Sequence, residues 1–410
     1  MILYSYEYFL HKVLESDQEE LEKAKAQKPQ VCSEIKLPKQ SGFRRIVSVE
    51  SGCELEKLQK KLQRNFLSKL PVCPSAKGFV RGSSYLNFLE EHIGHEYFLR
   101  MDLKNFFDSI SVELLEESLK SFVREGEETD SGEEKKESGE GENESGILDE
   151  ITALCTWKGT VPQGFLTSPS VSNLVFCRLD QRIRKYCRAY QKEQKREIFY
   201  TRYADDLLFS SLGFNFRENK NFKRMISHIL ADGGFCCNEK KTIYQKGNIS
   251  LSGYVIQEDV HLSRKKLKNI NEVICQFDKR IKFEKESDAA QKREELERKP
   301  AAAKKREEPE GKSNAAEKSV FAGKFEVDKN RNVKEILQNL NQKNMKKSDG
   351  TKISFENVES LAHYVAGYRS FLIQLARVEH GNTDYDRKIH RKIQNLEKIL
   401  EHLSGILGET

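Results

Sequence analysis

The chain has 410 residues, of which 37% are hydrophobic and 33% charged, and its formal net charge is +6. This length predicts two or three subdomains, and the composition favours a folded protein with a sizeable core. The sequence contains no run of about 18 apolar residues, and residues 1–11 lack a basic region followed by an apolar one. We therefore expect no membrane partner and a cytoplasmic location.

Cysteine spacing indicates the state of the thiols, and the distribution of charge indicates the class of binding partner. The nine cysteines form no Cys-x-x-Cys pair, which favours reduced thiols over a disulfide framework or a zinc site. Residues 125–145 carry ten acidic residues and two lysines, and setting this −8 apart from the total of +6 leaves +14 on the rest. A surface that basic predicts a nucleic-acid partner, although a ribosome-like or membrane-surface partner would give a similar charge.

The first half of the chain predicts a mixture of helices and strands. Apolar spacing predicts helices over residues 3–25 and 54–70, a strand over Tyr97–Asp102 and a helix over residues 112–123. The Gly/Glu/Ser-rich segment 125–146 has no hydrophobic periodicity, so we interpret it as a disordered insertion.

The second half continues this pattern and ends in helices. The expected elements are a helix over residues 168–190, a hairpin over Phe199–Ser211 that turns at Ala204-Asp205-Asp206, a helix over 222–231 and a strand over 249–256. Residues 284–319 are rich in Lys, Glu and Ala and predict a linker or a broken, solvated helix. Residues 333–340, 358–378 and 387–406 predict further helices, so the fold class is α+β with a helical end.

Two acidic sites about 100 residues apart carry the chemical information. Asp102 ends an apolar strand, and Asp205 and Asp206 lie at the turn of an apolar hairpin. Carboxylates at the ends of adjacent strands can converge, and hard oxygen ligands of this kind suit Mg²⁺. Two such ions about 4 Å apart can activate a hydroxyl and stabilise a pyrophosphate leaving group. For an isolated Asp-Asp pair, simple turn formation would be the better interpretation.

Several motifs in a fixed order favour the catalytic interpretation. Tyr203-Ala204-Asp205-Asp206 resembles the Tyr-x-Asp-Asp box of reverse transcriptases, and residues 98–107 resemble the first aspartate motif of that family. Residues 161–169, with Pro162-Gln163-Gly164 and Ser168-Pro169, are similar to the motif between them. Further similar blocks are residues 42–46, 77–83, 234–242 and 251–253.

Within that family the chain looks most like bacterial retron and defence-associated reverse transcriptases. Residues 365–371 are similar to a pattern in their helical thumb, whereas residues 87–92 and 251–253 differ from the usual retron motifs and favour a neighbouring defence-type group. The resemblance implies a right-hand polymerase, with an N-terminal helix and fingers in residues 1–95, an antiparallel-sheet palm in 96–262 and a helical thumb and C-terminal region in 263–410.

The resemblance also implies residue roles. Asp102, Asp205 and Asp206 would be the catalytic residues and would bind two Mg²⁺ ions, with Mn²⁺ as a substitute. Phe107 would exclude a 2′-hydroxyl and select deoxynucleotides, with ordinary core packing as the alternative. The other residues expected at the incoming nucleotide are Gln163 and Gly164 in its pocket, Arg44 and Arg81 at the triphosphate, and Lys241 at the leaving pyrophosphate.

The implied activity is RNA-directed DNA synthesis from deoxynucleoside triphosphates. The template would be an RNA, a cognate noncoding RNA in antiphage defence, and the product DNA. Three alternatives stay open: a polymerase-like scaffold that binds RNA without catalysis, untemplated or protein-primed synthesis with the same site, and a group II intron-type enzyme. The sequence leaves the primer and the oligomeric state undetermined.

Overall fold

A computed structural model of the protein describes residues 2–39, 42–124, 146–297, 333–343, 345–347, 351–378 and 383–407. The chain divides into two compact units, Met1–Ile249 and Ser250–Thr410. Within the described residues, no helix combines the length and the apolar character needed to cross a membrane.

The N-terminal segment of the first unit is broken where one helix was predicted. α1 (Tyr6–Tyr8) runs into a π-helical turn (Phe9–Val13), and α2 (Gln18–Val31) follows after an interruption. Glu15 has a left-handed φ of 48°, which an α-helix does not contain. Asp17 then accepts a hydrogen bond from Glu20 N and caps α2. The single helix expected over residues 3–25 is therefore wrong.

A two-stranded hairpin and three short helical elements follow. β1 (Cys32–Lys39) pairs antiparallel with β2 (Gly42–Val49), and α3 (Glu54–Asn65) buries its apolar face. The helix predicted over residues 54–70 is shorter, because the backbone changes at Phe66 into a 3₁₀ turn (Leu67–Lys69). Ser84 and Asn87 form a capping box at the start of α4 (Tyr85–Glu90).

The core of the first unit is a four-stranded antiparallel sheet, here called the central sheet. Its strands are β3 (Tyr97–Asp102), β4 (Phe199–Tyr203), β5 (Asp206–Ser211) and β6 (Ile243–Lys246), in the order β4-β5-β3-β6. β5 is central and buried at almost every position, because its Leu207-Leu208-Phe209 run packs on both faces. The strand over Tyr97–Asp102 and the hairpin over Phe199–Ser211 are confirmed.

Among the described residues of the first unit, four further helices pack around this sheet: α5 (Val112–Leu119), α6 (Ile147–Cys155), α7 (Ser168–Gln194) and α8 (Lys220–Asp232). The predicted helix over residues 112–123 ends earlier, at Leu119, whereas α7 and α8 extend beyond their predicted bounds. Buried aromatic residues of α7 and α8, such as Phe176 and Phe222, join one hydrophobic core with the central sheet. Apart from Gly146, the acidic segment 125–146 lies outside the described residues.

The described residues from β7 onward form three short strands and four helices. β7 (Ile249–Leu251), β8 (Tyr254–Ile256) and β9 (Val260–Leu262) form a sheet that starts at the boundary between the units. They are followed by α9 (Arg264–Glu297), α10 (residues 333–342), α11 (Val358–Leu375) and α12 (Thr383–Leu407).

One prediction in this region needs correction. Ser252 and Gly253 both have positive φ, so the chain turns between β7 and β8 and does not continue as one strand over 249–256. Residues 284–297 belong to α9, and the remainder of the segment 284–319 lies outside the described residues. The predicted helices near residues 333–340, 358–378 and 387–406 are present as α10, α11 and α12.

Candidate active site

The three predicted aspartates meet at one end of the central sheet. Asp102, the last residue of β3, lies opposite Asp206, the first residue of β5, in the antiparallel register. Asp205 occupies the turn between β4 and β5, and its carbonyl accepts a hydrogen bond of 3.0 Å from Leu103 N. Adjacent strand ends therefore bring these carboxylates together, as the sequence predicted.

Two cations neutralise part of this acidic cluster. Lys241 Nζ lies 2.9 Å from Asp102 Oδ2, and Arg100 Nη2 lies 2.6 Å from Asp206 Oδ1. Arg100 Nε donates to the same Asp206 oxygen at 3.0 Å. Asp102 is only 4% exposed, and among the described residues its Oδ1 has no hydrogen-bond partner. A buried carboxylate oxygen without a partner is costly, which points to a ligand that completes it.

Burial and mutual repulsion raise the affinity of this cluster for protons. Burial raises the pKa of Asp205, and the nearby Asp102 carboxylate raises it further, whereas Lys241 and Arg44 lower it. Burial raises the pKa of Asp206 to about 6, although the Arg100 guanidinium opposes the shift. The Asp205 and Asp206 carboxylates are thus destabilised as anions until a further positive charge is present.

A buried ion pair supports the turn that carries Asp205. Arg202, fully buried, pairs with the equally buried Asp180 of α7 at 2.8 Å, and its Nη1 donates to Ala204 O at 3.1 Å. Its Nη2 donates to Asn173 Oδ1, and its guanidinium lies 4.4 Å from the centre of the Phe176 ring. Ala204 itself has a left-handed φ of 54°. The network therefore fixes a strained turn, as active-site turns often require.

Three aromatic side chains, Phe79, Phe107 and Tyr203, lie close together in the first unit. Phe107 is half-buried, with its ring centre 6.2 Å from that of Phe79, and Tyr203 lies 6.4 Å from Phe79 on another side. Phe106 points inward and packs on Phe176 and Phe235. Of the phenylalanine pair, Phe107 is thus the one with a surface that a substrate can reach.

The Gln163-Gly164 segment is tied to β2. Gln163 O accepts a hydrogen bond of 2.8 Å from Val47 N, and an added Cβ at Gly164 would overlap Val47 O. Gly164 also has a φ of 123°, which disfavours any other residue. Close approach to β2 and backbone conformation both require the glycine, and this contact joins the motif to the β1–β2 hairpin.

The three predicted basic residues are exposed, but only two of them are linked to the aspartates. Arg44 on β2 is close enough to lower the pKa of Asp205, and Lys241 pairs directly with Asp102. Arg81 lines a separate cavity of about 420 Å³ with Lys77 and Asn87. The structure therefore brings Arg44 and Lys241 toward the acidic cluster, and no described contact links Arg81 to it.

The family model for reverse transcriptase (RNA-dependent DNA polymerase) matches residues 28–256, which is more than half of the chain. The chain belongs to the reverse transcriptase family. Its mixed helix-and-sheet architecture is accordingly the right-hand polymerase fold of that family. All three aspartates lie inside the matched region.

Bacterial retron reverse transcriptases are among the relatives. The chain is 31% identical over 220 residues to the retron Ec86 reverse transcriptase of Escherichia coli, covering 53% of this chain and 60% of that protein. It is 30% identical over 250 residues to the retron Mx65 reverse transcriptase of Myxococcus xanthus, covering 58% and 54%. The chain thus spans little more than half the length of these relatives.

Solved structures that the chain matches include a Candida albicans telomerase in complex with a fragment of telomeric RNA. That match has a TM-score of 0.41 and 12% identity, and covers 91% of this chain and 66% of the telomerase chain. A foamy viral protease-reverse transcriptase in complex with double-stranded DNA matches with a TM-score of 0.32 and 12% identity, covering 90% and 46%.

Reverse transcriptases generally use divalent metal ions, and the donor set here fits such ions. Asp102, Asp205 and Asp206 offer hard carboxylate oxygens, one of them buried and without a partner. Within the described ranges, however, no three His, Cys, Asp or Glu side chains are arranged to bind one ion directly. Two of these carboxylates are instead paired with cations, Asp102 with Lys241 and Asp206 with Arg100.

The residues that support the site were not predicted from the sequence, although one of them has a recognisable signal. Arg100 lies two residues before Asp102 on the same face of β3, a period-2 spacing that identifies it as a neighbour of the aspartates. Asn173, Phe176 and Asp180 follow one another at helical spacing on α7, so they share a face. Nothing in the sequence, however, indicates that this face meets Arg202.

Proposed function

We propose that this reverse transcriptase family member is an RNA-directed DNA polymerase. The observation that carries the proposal is that Asp102 lies opposite Asp206 in the sheet register. The backbone carbonyl of Asp205 also accepts a hydrogen bond from Leu103 N, the residue after Asp102. Nucleotidyl transfer needs carboxylates that converge on one point in a rigid frame, and the buried strands and the Arg202 network supply that frame.

The three aspartates would hold two divalent ions, Mg²⁺ or Mn²⁺. Such ions, when bound, activate the primer 3′-hydroxyl and stabilise the charge on the leaving pyrophosphate. In our proposal Lys241 leaves Asp102, turns its Nζ to the pyrophosphate and donates a proton there. Arg100 stays with Asp206 and keeps that carboxylate ionised at neutral pH, since the guanidinium opposes the burial that raises its pKa.

The neighbouring residues would bind the deoxynucleoside triphosphate. Phe107 is the residue proposed to contact the sugar and exclude a 2′-hydroxyl, which its partly exposed ring allows. Arg44 would contact the triphosphate through its planar guanidinium, with Arg81 as a second contact. Gln163 and Gly164 would line the nucleotide pocket, in a position fixed by their contacts with β2.

The right-hand fold suggests how the remaining surface is used. Residues 1–95 would form the fingers, 96–262 the palm and 263–410 the thumb and C-terminal region. Basic residues of the second unit, among them Lys265, Lys266, Lys268, Arg377 and Lys388, would contact the backbone of the template and primer. Contacts of that kind give affinity that falls steeply with salt and does not depend on sequence.

Primer extension on RNA templates of different sequence tests this activity. With purified protein, a primed RNA and Mg²⁺, we expect DNA products whose sequence follows each change in the template. Products that ignore such changes would favour untemplated or protein-primed synthesis. No deoxynucleotide incorporation with either Mg²⁺ or Mn²⁺ would favour a scaffold that binds RNA without catalysis.

We further propose that the template is a cognate noncoding RNA and that synthesis serves antiphage defence. Support comes from the similarity to retron reverse transcriptases and from the +14 charge outside residues 125–145. Sequencing the nucleic acid that co-purifies with the protein should recover one dominant RNA together with DNA complementary to it. If deletion of the locus for that RNA left both synthesis and phage protection unchanged, this part of the proposal would be wrong.

A further inference from the structure

Phe79 combines two features that folding alone does not explain. Its φ is 61°, in the left-handed region that bulky L-residues rarely adopt. Its side chain is nevertheless 44% exposed, so the strained backbone does not serve to bury the ring. Strain of this kind persists only where the surrounding structure imposes it, and it concentrates at ligand-binding and catalytic sites.

The contacts that hold the backbone before Phe79 come from β4, α7 and the turn that carries Asp205. Lys77 N donates to Arg202 O at 2.7 Å, and Asn173 Nδ2, which is buried, donates to Gly78 O at 2.9 Å. Gly78 packs so closely on the turn that an added Cβ would lie 2.7 Å from Ala204 N. The backbone just before Phe79 is therefore locked to the catalytic turn, and the position of the ring is coupled to it.

The Phe79 ring lies beside Phe107, the proposed sugar contact, and beside Tyr203, which precedes the turn that carries Asp205. Its centre lies 6.2 Å from the Phe107 ring and 6.4 Å from the Tyr203 ring. The interplanar angles are 49° and 40°, so neither neighbour stacks face to face on it. A flat apolar surface is thus held open between the proposed sugar contact and the residue next to the aspartates.

We propose that Phe79 binds a nucleobase in the active site by stacking. This inference rests on the proposed polymerase function, since the substrates would then be a nucleotide and a nucleic acid. Every base has an aromatic face, so a phenylalanine ring can hold all four without reading their sequence. A copying enzyme needs such tolerance at the nascent base pair. The base can belong to the incoming nucleotide or to the template, and the experiment below separates these sources.

Substitution by glycine separates a binding role from a packing role. Phe79→Gly removes the ring and also relieves the left-handed strain, so we expect an unchanged or higher melting temperature. The matched control is Lys195→Gly, because Lys195 has a φ of 51° at the exposed end of α7. The control relieves the same kind of strain without removing an aromatic ring. Phe79→Trp retains a flat aromatic surface and serves as the conservative variant.

Steady-state primer extension and equilibrium binding of a primed template give the readouts. In Phe79→Gly we expect a rise of about 10-fold to 100-fold in the KM for all four deoxynucleotides or in the Kd of the primed template. The first result assigns the stacked base to the nucleotide and the second to the template. Phe79→Trp and Lys195→Gly should stay within roughly three-fold of wild type, which is below the smallest stacking effect.

The contrary results are distinct. Wild-type KM and Kd in Phe79→Gly, in an enzyme whose wild type extends primers, would overturn the inference and leave the polymerase proposal intact. A clear fall in melting temperature with unchanged KM and Kd would also overturn it, since the ring would then be a packing residue. A wild type that extends no primer would overturn both.

Discussion

Replacing Gly78 by alanine adds a single methyl group next to the turn that carries Asp205 and should displace that turn. In Gly78→Ala the new Cβ would lie 2.7 Å from Ala204 N and 3.2 Å from Tyr203 Cα, whereas ordinary van der Waals contact begins at 3.4 Å. The turn or the Gly78 segment must therefore shift by up to the 0.7 Å that separates 2.7 from 3.4 Å. Neither can move freely, because Asn173 and Arg202 hold both.

The magnitude follows from the sensitivity of catalysis to geometry. A displacement of about 1 Å can cost on the order of 100-fold in rate, so we expect kcat for primer extension to fall by about 10-fold to 100-fold. Overpacking should lower the free energy of unfolding by only about 1–3 kcal/mol, which leaves the protein folded. Extension kinetics and urea unfolding, measured on the same preparation, separate the two effects.

Gly405→Ala is the matched control for this variant. Gly405 lies in α12 with nothing within 4 Å of an added Cβ, so the methyl group meets no neighbour. Alanine in place of glycine in a helix should stabilise the protein by up to about 1 kcal/mol, with kcat unchanged. Wild-type kcat in Gly78→Ala would refute the argument that this contact positions the turn.

Three further variants test other parts of the site. Arg202→Met should lower the free energy of unfolding by about 3–5 kcal/mol, because Asp180 would stay buried without its cation; a loss in urea unfolding below about 1 kcal/mol would contradict this. In EDTA, the free energy of unfolding of wild type should fall relative to that of Asp206→Asn as the pH rises from about 4 to 6. The reason is that folding raises the pKa of Asp206 to about 6, so the folded protein is stabilised by the protonated carboxyl and loses this stabilisation as the proton leaves. Thermal unfolding of both proteins across this range measures the difference, and parallel profiles would be the contrary result. Phe107→Ala should reduce the preference for deoxynucleotides over ribonucleotides by about ten-fold in kcat/KM, and an unchanged ratio would show that the ring does not select the sugar.

The strands next to the three candidate aspartates were predictable because their sequence signals are local. An unbroken apolar run in β5 next to Asp205-Asp206 predicts a buried strand with a turn before it, and the register with Asp102 follows from pairing two such strands. The break near Glu15 and the turn at Ser252-Gly253 were missed for a different reason. Both depend on single residues with left-handed φ, which interrupt an otherwise continuous apolar pattern.

The support of the site was not predictable, because it joins segments distant in the chain. Arg202 bonds to Asp180 and Asn173, which belong to the long helix α7. Lys77, which lies 125 residues before Arg202 in the chain, donates to the Arg202 carbonyl, and Gly78 packs on the turn that follows β4. Charged residues in a helix such as α7 are ordinarily solvated, so the sequence favours exposure for Asp180. Only the packing of α7 under β4 shows that it is buried.

The most direct test of the central claim is primer extension by an Asp102→Asn variant on a primed RNA template. Asparagine preserves the shape of the side chain but removes a charge that divalent ions require. We predict that wild type copies the RNA into DNA in Mg²⁺, whereas the variant loses at least about 100-fold in kcat and keeps its affinity for the template. Extension by Asp102→Asn at the wild-type rate would contradict the assignment of this carboxylate to the catalytic centre.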